Sequence, residues 1–474
     1  MRKSTFVMFL AALMIFGVSG AAFAETQNVK VSGSLDAYAF YRDNFDLLDG
    51  NDAGTTLVPT AVQSPSHPAP NTGGTTQRSE ADSYFMSITQ VQVSADLTDK
   101  VSTVINIINM RDWNSNASTA AEFDMDLDLA YVQMKEIFYT PLTLTIGRQD
   151  LLFGRGFIVG WNPQDPNSTI QADEFTQVQG FDAIRATLDF NPWTLDFVYS
   201  KIRENGDNPE DDRDLYIANV NYKFAEYNAV AEGYYIGEFD SSTLSPAVTA
   251  APTISGKDND TQTVGGRVQF DPISQITLGG ELAYQFGTYR AAAINPARDR
   301  DAWAADIFGE YRWDNAWKPM AGLEYVYLSG EGDLSSTTSD YGSWNGSFRG
   351  PIYGWIHDYL EVYYSTAFGG DQAAGQNQQS INLYGSIKPM EDLKLTASWF
   401  YFWATDDYHI TPTNPASSTL NESIGNEIDL AAIYSYTEDV TFSVMADWFI
   451  PGDLYNSPTD ETATQVITEV KVTF

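Results

Sequence analysis

The sequence predicts an all-β fold: a transmembrane antiparallel up-and-down β-barrel of about 18 strands, with short periplasmic turns and long extracellular loops. Three observations carry this. The chain ends, with no tail, on the alternating strand ETATQVITEVKVTF. Many earlier segments alternate in the same way. The connections between them alternate strictly between short and long, which is the pattern of bacterial outer-membrane barrels.

The first residues belong to another element. A basic start (Arg2, Lys3), a mostly apolar run from Phe6 to Val18 and Ala22-Phe23-Ala24 before Glu25 make residues 1–24 a secretory signal peptide. The apolar run is too short for a transmembrane helix. Residues 25–474 then form one barrel domain.

Composition narrows the class. The formal net charge is −37, and there is no cysteine. An acidic chain lacks the basic footprint that nucleic acid needs. Disulfides and thiolate metal sites are excluded. Aromatics reach 14%, too many for a disordered acidic chain. After the leader no run of 18 apolar residues occurs, so any spanning segments are strands.

In order, the expected strands are 27–42, 83–97, 101–112, 123–137, 141–149, 180–190, 193–203, 212–224, 227–238, 260–271, 275–290, 300–313, 317–329, 380–388, 392–404, 424–436, 439–449 and 462–474. Most have the length of a tilted membrane-spanning strand. Short links include Thr98-Asp99-Lys100, Asn191-Pro192, Asp314-Asn315-Ala316 and Thr437-Glu438. The long connections are 43–82, 113–122, 150–179, 204–211, 239–259, 291–299, 330–379, 405–423 and 450–461. An even strand count puts both ends of the chain on the short-turn side.

The two faces agree with a lipid-facing wall. Leu393, Leu395, Ala397, Trp399, Tyr401 and Trp403 oppose Lys394, Thr396 and Ser398. Val440, Phe442, Val444, Ala446 and Trp448 oppose Thr441, Ser443 and Asp447. The polar faces are too charged to be a packed core, so the apolar faces are expected to meet lipid. Trp193, Trp313 and Trp317 beside short turns, and Trp113, Trp403 and Trp448 beside long loops, fit two aromatic girdles.

Eighteen strands leave room for an aqueous lumen. Strand parity assigns Asp126, Asp128, Glu281, Asp306, Glu310 and Glu324 to its lining, with Arg185, Arg213, Arg267 and Arg312 among them. Asp36, Asp429, Asp447 and Glu469 fall on the same parity, so the lining is mixed in sign and acidic on balance. Carboxylate rings favour cations; alternatively the charges pair across strands and only solvate the wall.

The segment Gly147–Trp161 is unusually apolar for a loop. It is expected to fold into the lumen and narrow it, with Arg148, Asp150 and Arg155 presented to solute. A strand extension above the membrane is the alternative. The aromatic stretch FRGPIYGWIHDYLEVYYSTAF within 330–379 is a second inward fold or an extra hairpin, which would raise the count to 20 strands.

GRQDLLFGRGFIVG (147–160), after PLTLTIGRQ and before NPQD, resembles the signature region of the alginate-export family of outer-membrane porins. The resemblance implies an 18-stranded monomeric barrel. It also implies an Arg-lined lumen that passes an acidic polysaccharide. Arg148 and Arg155 lie in the matching motif and Arg185 soon follows, whereas the rest of the expected lining is acidic.

The expected function is an outer-membrane porin for hydrophilic solutes; the alternatives are a polysaccharide exporter and a structural or adhesive barrel. An enzyme is not expected, because the three histidines, His67, His357 and His409, all fall in long loops. No cofactor or metal is expected; Asp49–Asp52 and Glu210–Asp214 lack the spacing of a calcium loop. Expected partners are outer-membrane lipid and lipopolysaccharide, a small hydrophilic solute or polysaccharide, and the barrel-assembly machinery. Phe474, the terminal aromatic, resembles the signal which that machinery reads.

Overall fold

The computed structural model describes residues 28–45, 47, 81–113, 125–138, 141–161, 172, 175–204, 212–240, 259–290, 297–331, 339–346, 348–350, 353–364, 376–406, 423–455 and 460–474. The leader 1–24, Asp49–Asp52, His67 and His409 lie outside them.

Eighteen strands follow one another around a closed wall. They are Asn28–Asp43 (β1), Ala81–Thr98 (β2), Val101–Asp112 (β3), Asp126–Lys135 (β4), Leu142–Gln149 (β5) and Phe181–Asp189 (β6). Next come Trp193–Arg203 (β7), Arg213–Lys223 (β8), Val230–Asp240 (β9), Asn259–Ile273 (β10), Ile276–Tyr289 (β11) and Arg298–Arg312 (β12). Met320–Leu328 (β13), Gln378–Met390 (β14), Leu393–Ala404 (β15), Ser423–Ser435 (β16), Val440–Pro451 (β17) and Ala463–Thr473 (β18) complete the set. Every strand pairs antiparallel with its sequence neighbours, and β18 closes on β1 from Ser34↔Thr473 to Asp43↔Thr464. Closure removes the sheet edge, as hydrocarbon requires.

The expected count of 18 and the order of short and long connections hold. Boundaries move by a few residues: β4 starts at Asp126 rather than 123, and β13 spans Met320–Leu328 rather than 317–329. No extra hairpin occupies the described part of 330–379. Trp355–Tyr364 there is a helix, α1.

The outer face carries exposed Leu278, Leu282, Ile307, Leu323, Leu383 and Val444, with Trp193, Trp313, Trp317 and Trp113 toward its ends. The inner face is where the expectation needs correcting. Its extracellular half is apolar rather than polar: Phe181, Val198, Ile217, Ile236, Phe400, Phe402 and Phe449 point inward and are buried. They are covered by chain folded into the barrel, so the protein has a hydrophobic core inside its lumen. Β-strands buried on both faces lose the clean alternation of apolar and polar residues. The upper part of β15 shows this, with Phe400 and Phe402 interleaved among Trp399, Tyr401 and Trp403.

Candidate functional site: the lumen and the segments folded into it

Among the described residues, three segments enter the lumen. The first, 151–161, leaves the extracellular end of β5. Leu151, Phe153, Phe157, Ile158 and Val159 are all buried, which is why this segment turns away from water. Phe153 N–H donates to Val159 O at 3.1 Å, closing the segment on itself. Its tip crosses to β9–β13. Gly154 N–H donates to Glu232 (3.0 Å), Arg155 N–H donates to Glu281 (2.8 Å), and Arg267 donates to Gly154 O (2.6 Å). Gly154 adopts φ +62°, and a Cβ there would stand 2.3 Å from Glu281 Oε1. Glycine is therefore required where the tip meets the wall.

The Arg155 side chain completes the clamp. Its guanidinium lies 3.1 Å from Asp306, donates to Glu324 at 2.5 Å, and stacks over the Phe308 ring at 3.9 Å. A planar, permanently charged fork suits this three-sided site better than an ammonium would.

The second segment, 341–364, runs inward from β13. Gly160 N–H donates to Phe348 O (2.9 Å) and Gly350 N–H to Gly156 O (2.8 Å), so the first two segments form one backbone-linked unit. Asn345 bonds Gln285 through its backbone N–H and carbonyl, each at 2.8 Å, and its side chain reaches Glu238 and Thr261. Helix α1 then docks on β16–β18. Glu427, fully buried, accepts the N–H groups of Ile356 (2.9 Å) and His357 (2.7 Å). A side-chain oxygen at a helix N-terminus satisfies N–H donors that have no partner within the helix. The His357 ring stacks on Phe402 at 3.8 Å. Asp358 accepts from Arg349 (3.1 Å) and from Tyr353 N–H (3.2 Å). Burial pushes the Asp358 carboxyl up, but Arg349 and His357 outweigh it and hold it below its ordinary value.

The third segment, 175–180 with Ala172, packs on β1–β3. Val178 and Ala172 join Tyr38, Phe40, Met86, Ile88, Ile108 and Met110 in a second apolar cluster. Gln179 N–H donates to Asp128 at 3.2 Å. Phe175 and Trp355 stack at 4.9 Å and 7°, joining this segment to α1.

Barrel register brings the polar anchors into order. Arg267 stands opposite both Glu232 and Glu281, and Glu281 opposite Asp306. The row Phe308–Glu324–Asn382–Phe400–Glu427–Phe449 runs unbroken across β12–β17. Paired residues share a face, so the acceptors of the first and second segments, Glu324 and Glu427, sit on one row of the wall.

The expected lining residues divide into three groups. Glu281, Asp306, Glu324, Arg267 and Arg155 come together around the tip. Arg185 pairs with Asp196 (2.8 Å), Arg213 with Glu238, Arg312 with Glu310, and Asp128 with Asn106 (2.9 Å). These pairs solvate or anchor the wall locally, and Asp126 lies partly exposed at the start of β4. Arg148 and Asp150 do not join the tip. Arg148 stands opposite Asp182 and Ala130 on the outward parity and lies 3.6 Å from the exposed Asp182 carboxylate, because buried Gln149 takes the inward position. Asp150 is exposed at the strand end. Arg155 is held by the wall rather than offered to the lumen. At the rim, Asp212, Asp214 and Glu204 converge on Lys201 Nζ at 2.6, 3.1 and 3.0 Å, so an ammonium already neutralises those carboxylates.

Glu427, Glu238, Asn345 and Trp355 were not singled out by sequence. Glu427 shares parity with Asp429 and was findable. Trp355 lies in the aromatic stretch 348–368 that the sequence marks as an inward fold or an extra hairpin, but no periodicity singles out this ring.

The fold resembles solved structures. Acinetobacter baumannii OccAB1 superposes with a TM-score of 0.53 at 10% identity, covering 96% of this chain and 99% of that one. Pseudomonas aeruginosa OccK2 (OpdF), solved in complex with glucuronate, gives 0.50 at 10% identity over 95% and 99%. The outer membrane channel DcaP of A. baumannii gives 0.45 at 12% identity over 97% and 99%. No curated protein matches the chain in sequence. The family model for alginate export matches residues 69–469, and the chain belongs to that family of outer-membrane β-barrel channels.

Proposed function

We propose that the protein is a diffusion channel for hydrophilic solutes whose lumen prefers cations. One observation carries this reading: the arginines of the lumen wall are committed to protein acceptors. Arg155 serves Asp306 and Glu324, Arg185 serves Asp196, Arg213 serves Glu238, Arg312 serves Glu310 and Arg267 serves Gly154 O. The sequence carries 63 acidic against 26 basic residues. The field left for a solute is therefore negative, which raises the local concentration of cations. The family's name favours a second reading, export of an acidic polysaccharide, in which Arg155 and Arg267 would release their wall acceptors to serve the polyanion.

Single-channel recording in planar bilayers tests both. Under a salt gradient the reversal potential should have the sign of cation preference. A clear anion preference overturns the first reading and favours the second; folded protein that gives no conductance overturns both.

A further inference from the structure

Among the described residues the lumen holds two apolar clusters. One joins 151–161 and 341–360 to the wall from β6 round to β18; the other joins 172 and 175–178 to β1–β3. Their boundary runs along the inner face of β18, β1 and β2. It is marked by aromatic rings that stay partly exposed although their neighbours are buried: Phe175, Trp355, Tyr359, Phe45 and Tyr84.

These rings are ordered. Phe175 stacks on Trp355 (4.9 Å), Phe45 meets Tyr359 (5.1 Å), and Tyr84 stacks on buried Phe40 (4.8 Å). Arg42 sits among them, its guanidinium carbon 4.7 Å from the Phe45 centroid, 5.4 Å from Tyr359 and 5.9 Å from Tyr84. Arg42 Nε donates to Gln465 (2.8 Å), and Gln465 Nε2 donates to Asp447 (3.0 Å). Gln90 and Gln177 hydrogen-bond one another on the adjoining wall. Flat apolar faces therefore alternate with the partly exposed amide edges of Gln90 and Gln177, while Arg42, Gln465 and Asp447 brace the rings from below.

A pore that only passed ions would gain nothing from leaving these aromatic rings partly exposed, since water solvates them poorly. The geometry points to a binding strip for neutral pyranose rings along β18, β1 and β2, with Trp355, Phe175 and Tyr359 as the stacking surfaces. A pyranose has a weakly polar C–H face and a rim of hydroxyls, so one ring uses both kinds of surface at once. Charge decides the class of sugar. The two basic groups of this face are already held, Arg42 by Gln465 and Lys471 by Asp36 (3.2 Å), so the strip favours a neutral sugar over a polyuronate. The assignment rests on the channel reading for its biological use, but binding itself does not require conduction.

The test uses the full-length protein in detergent and in bilayers, with maltohexaose as the neutral probe and oligogalacturonate as the acidic one. Maltohexaose should bind by calorimetry and block single-channel current. Trp355→Ala and Tyr359→Ala should each weaken binding about threefold to tenfold, the range expected for losing one ring contact. Trp355→Phe should stay near wild type, which separates ring stacking from loss of the helix. Folding of each variant is checked by heat-modifiable migration in gels. Absence of maltohexaose binding to folded wild type overturns the inference. So does binding unchanged in folded Trp355→Ala, or tighter binding of oligogalacturonate. Sugar binding without conductance would support the strip and overturn the channel reading alone.

Discussion

The ring of Phe474 lies over Gly33. Phe474 N–H donates to Gly33 O at 3.0 Å, and Gly33 N–H returns the bond to Phe474 O at 2.9 Å. A Cβ on Gly33 would stand 2.6 Å from Phe474 Cζ and 2.4 Å from Gln90 O. The end of the chain thus closes the barrel at a position where the first strand offers no side chain, and an aromatic ring covers the bare backbone. Gly33→Val should displace the ring and lower the folded fraction at the outer membrane severalfold, read from heat-modifiable migration. Deleting Phe474 should lower outer-membrane levels more than it changes the conductance of molecules that do insert. Normal levels in both variants would remove any role for this contact in assembly.

Arg155 ties the first inward segment to two wall carboxylates, Asp306 and Glu324. Arg155→Ala leaves Asp306 buried without its cation, a change of a few kcal/mol in the docking of the tip. Apolar packing of Phe153, Phe157 and Val159 still holds the segment inside. The expected result is a folded channel with noisier current and stronger cation preference. Arg155→Lys keeps the charge and loses the fork, so its noise should fall between the two. Quiet, unchanged traces for Arg155→Ala would show that the clamp does not set the conducting path.

Glu427 should be the anchor of helix α1. Glu427→Ala removes the acceptor of two buried N–H groups, each worth about 1–3 kcal/mol when left unsatisfied. Limited proteolysis should then cut within 353–364 in the folded barrel and spare the wild type. Equal resistance would mean that the His357–Phe402 stack, the burial of Ile356 and Leu360 and the Arg349–Asp358 contact hold the helix without this anchor.

The Arg349–Asp358 clasp gives α1 a pH dependence. Asp358 is held below its ordinary value when folded, so its contribution is fully present above the unfolded carboxylate value of about 3.9 and is lost as pH falls below it. Protease resistance of α1 should therefore drop in wild type below about pH 4. Asp358→Asn should be weakened already at neutral pH and show less further loss on acidification from this group.

How far the sequence reached depended on whether a periodicity reported the feature. In β11 and β17, alternation placed Leu278 and Val444 outside and Glu281 and Asp447 inside, and the barrel keeps them there. Arg148 was misassigned because it sits one residue from Gln149 at a strand end. A single step of parity turns a side chain through the wall. The aromatic upper half of β15 held a readable sign of burial on both faces, since Phe400 and Phe402 break the alternation.

The sequence by itself determined the architecture. A spanning strand must satisfy its backbone within the sheet and show one face to hydrocarbon. That demand is local, periodic and repeated 18 times, so it is written residue by residue. Phe474 as the closing residue followed from the same alternation. The apolar content of 147–161 and the aromatic stretch 348–368 also pointed inward, but only the tertiary structure decided what these segments dock on. Gly154 meets Glu281, Asn345 meets Gln285, Glu427 caps α1, and Phe175 stacks on Trp355 across long separations in the chain. Those contacts have no period; they exist because the apolar residues of 151–161 and 341–360 find cover inside a closed wall.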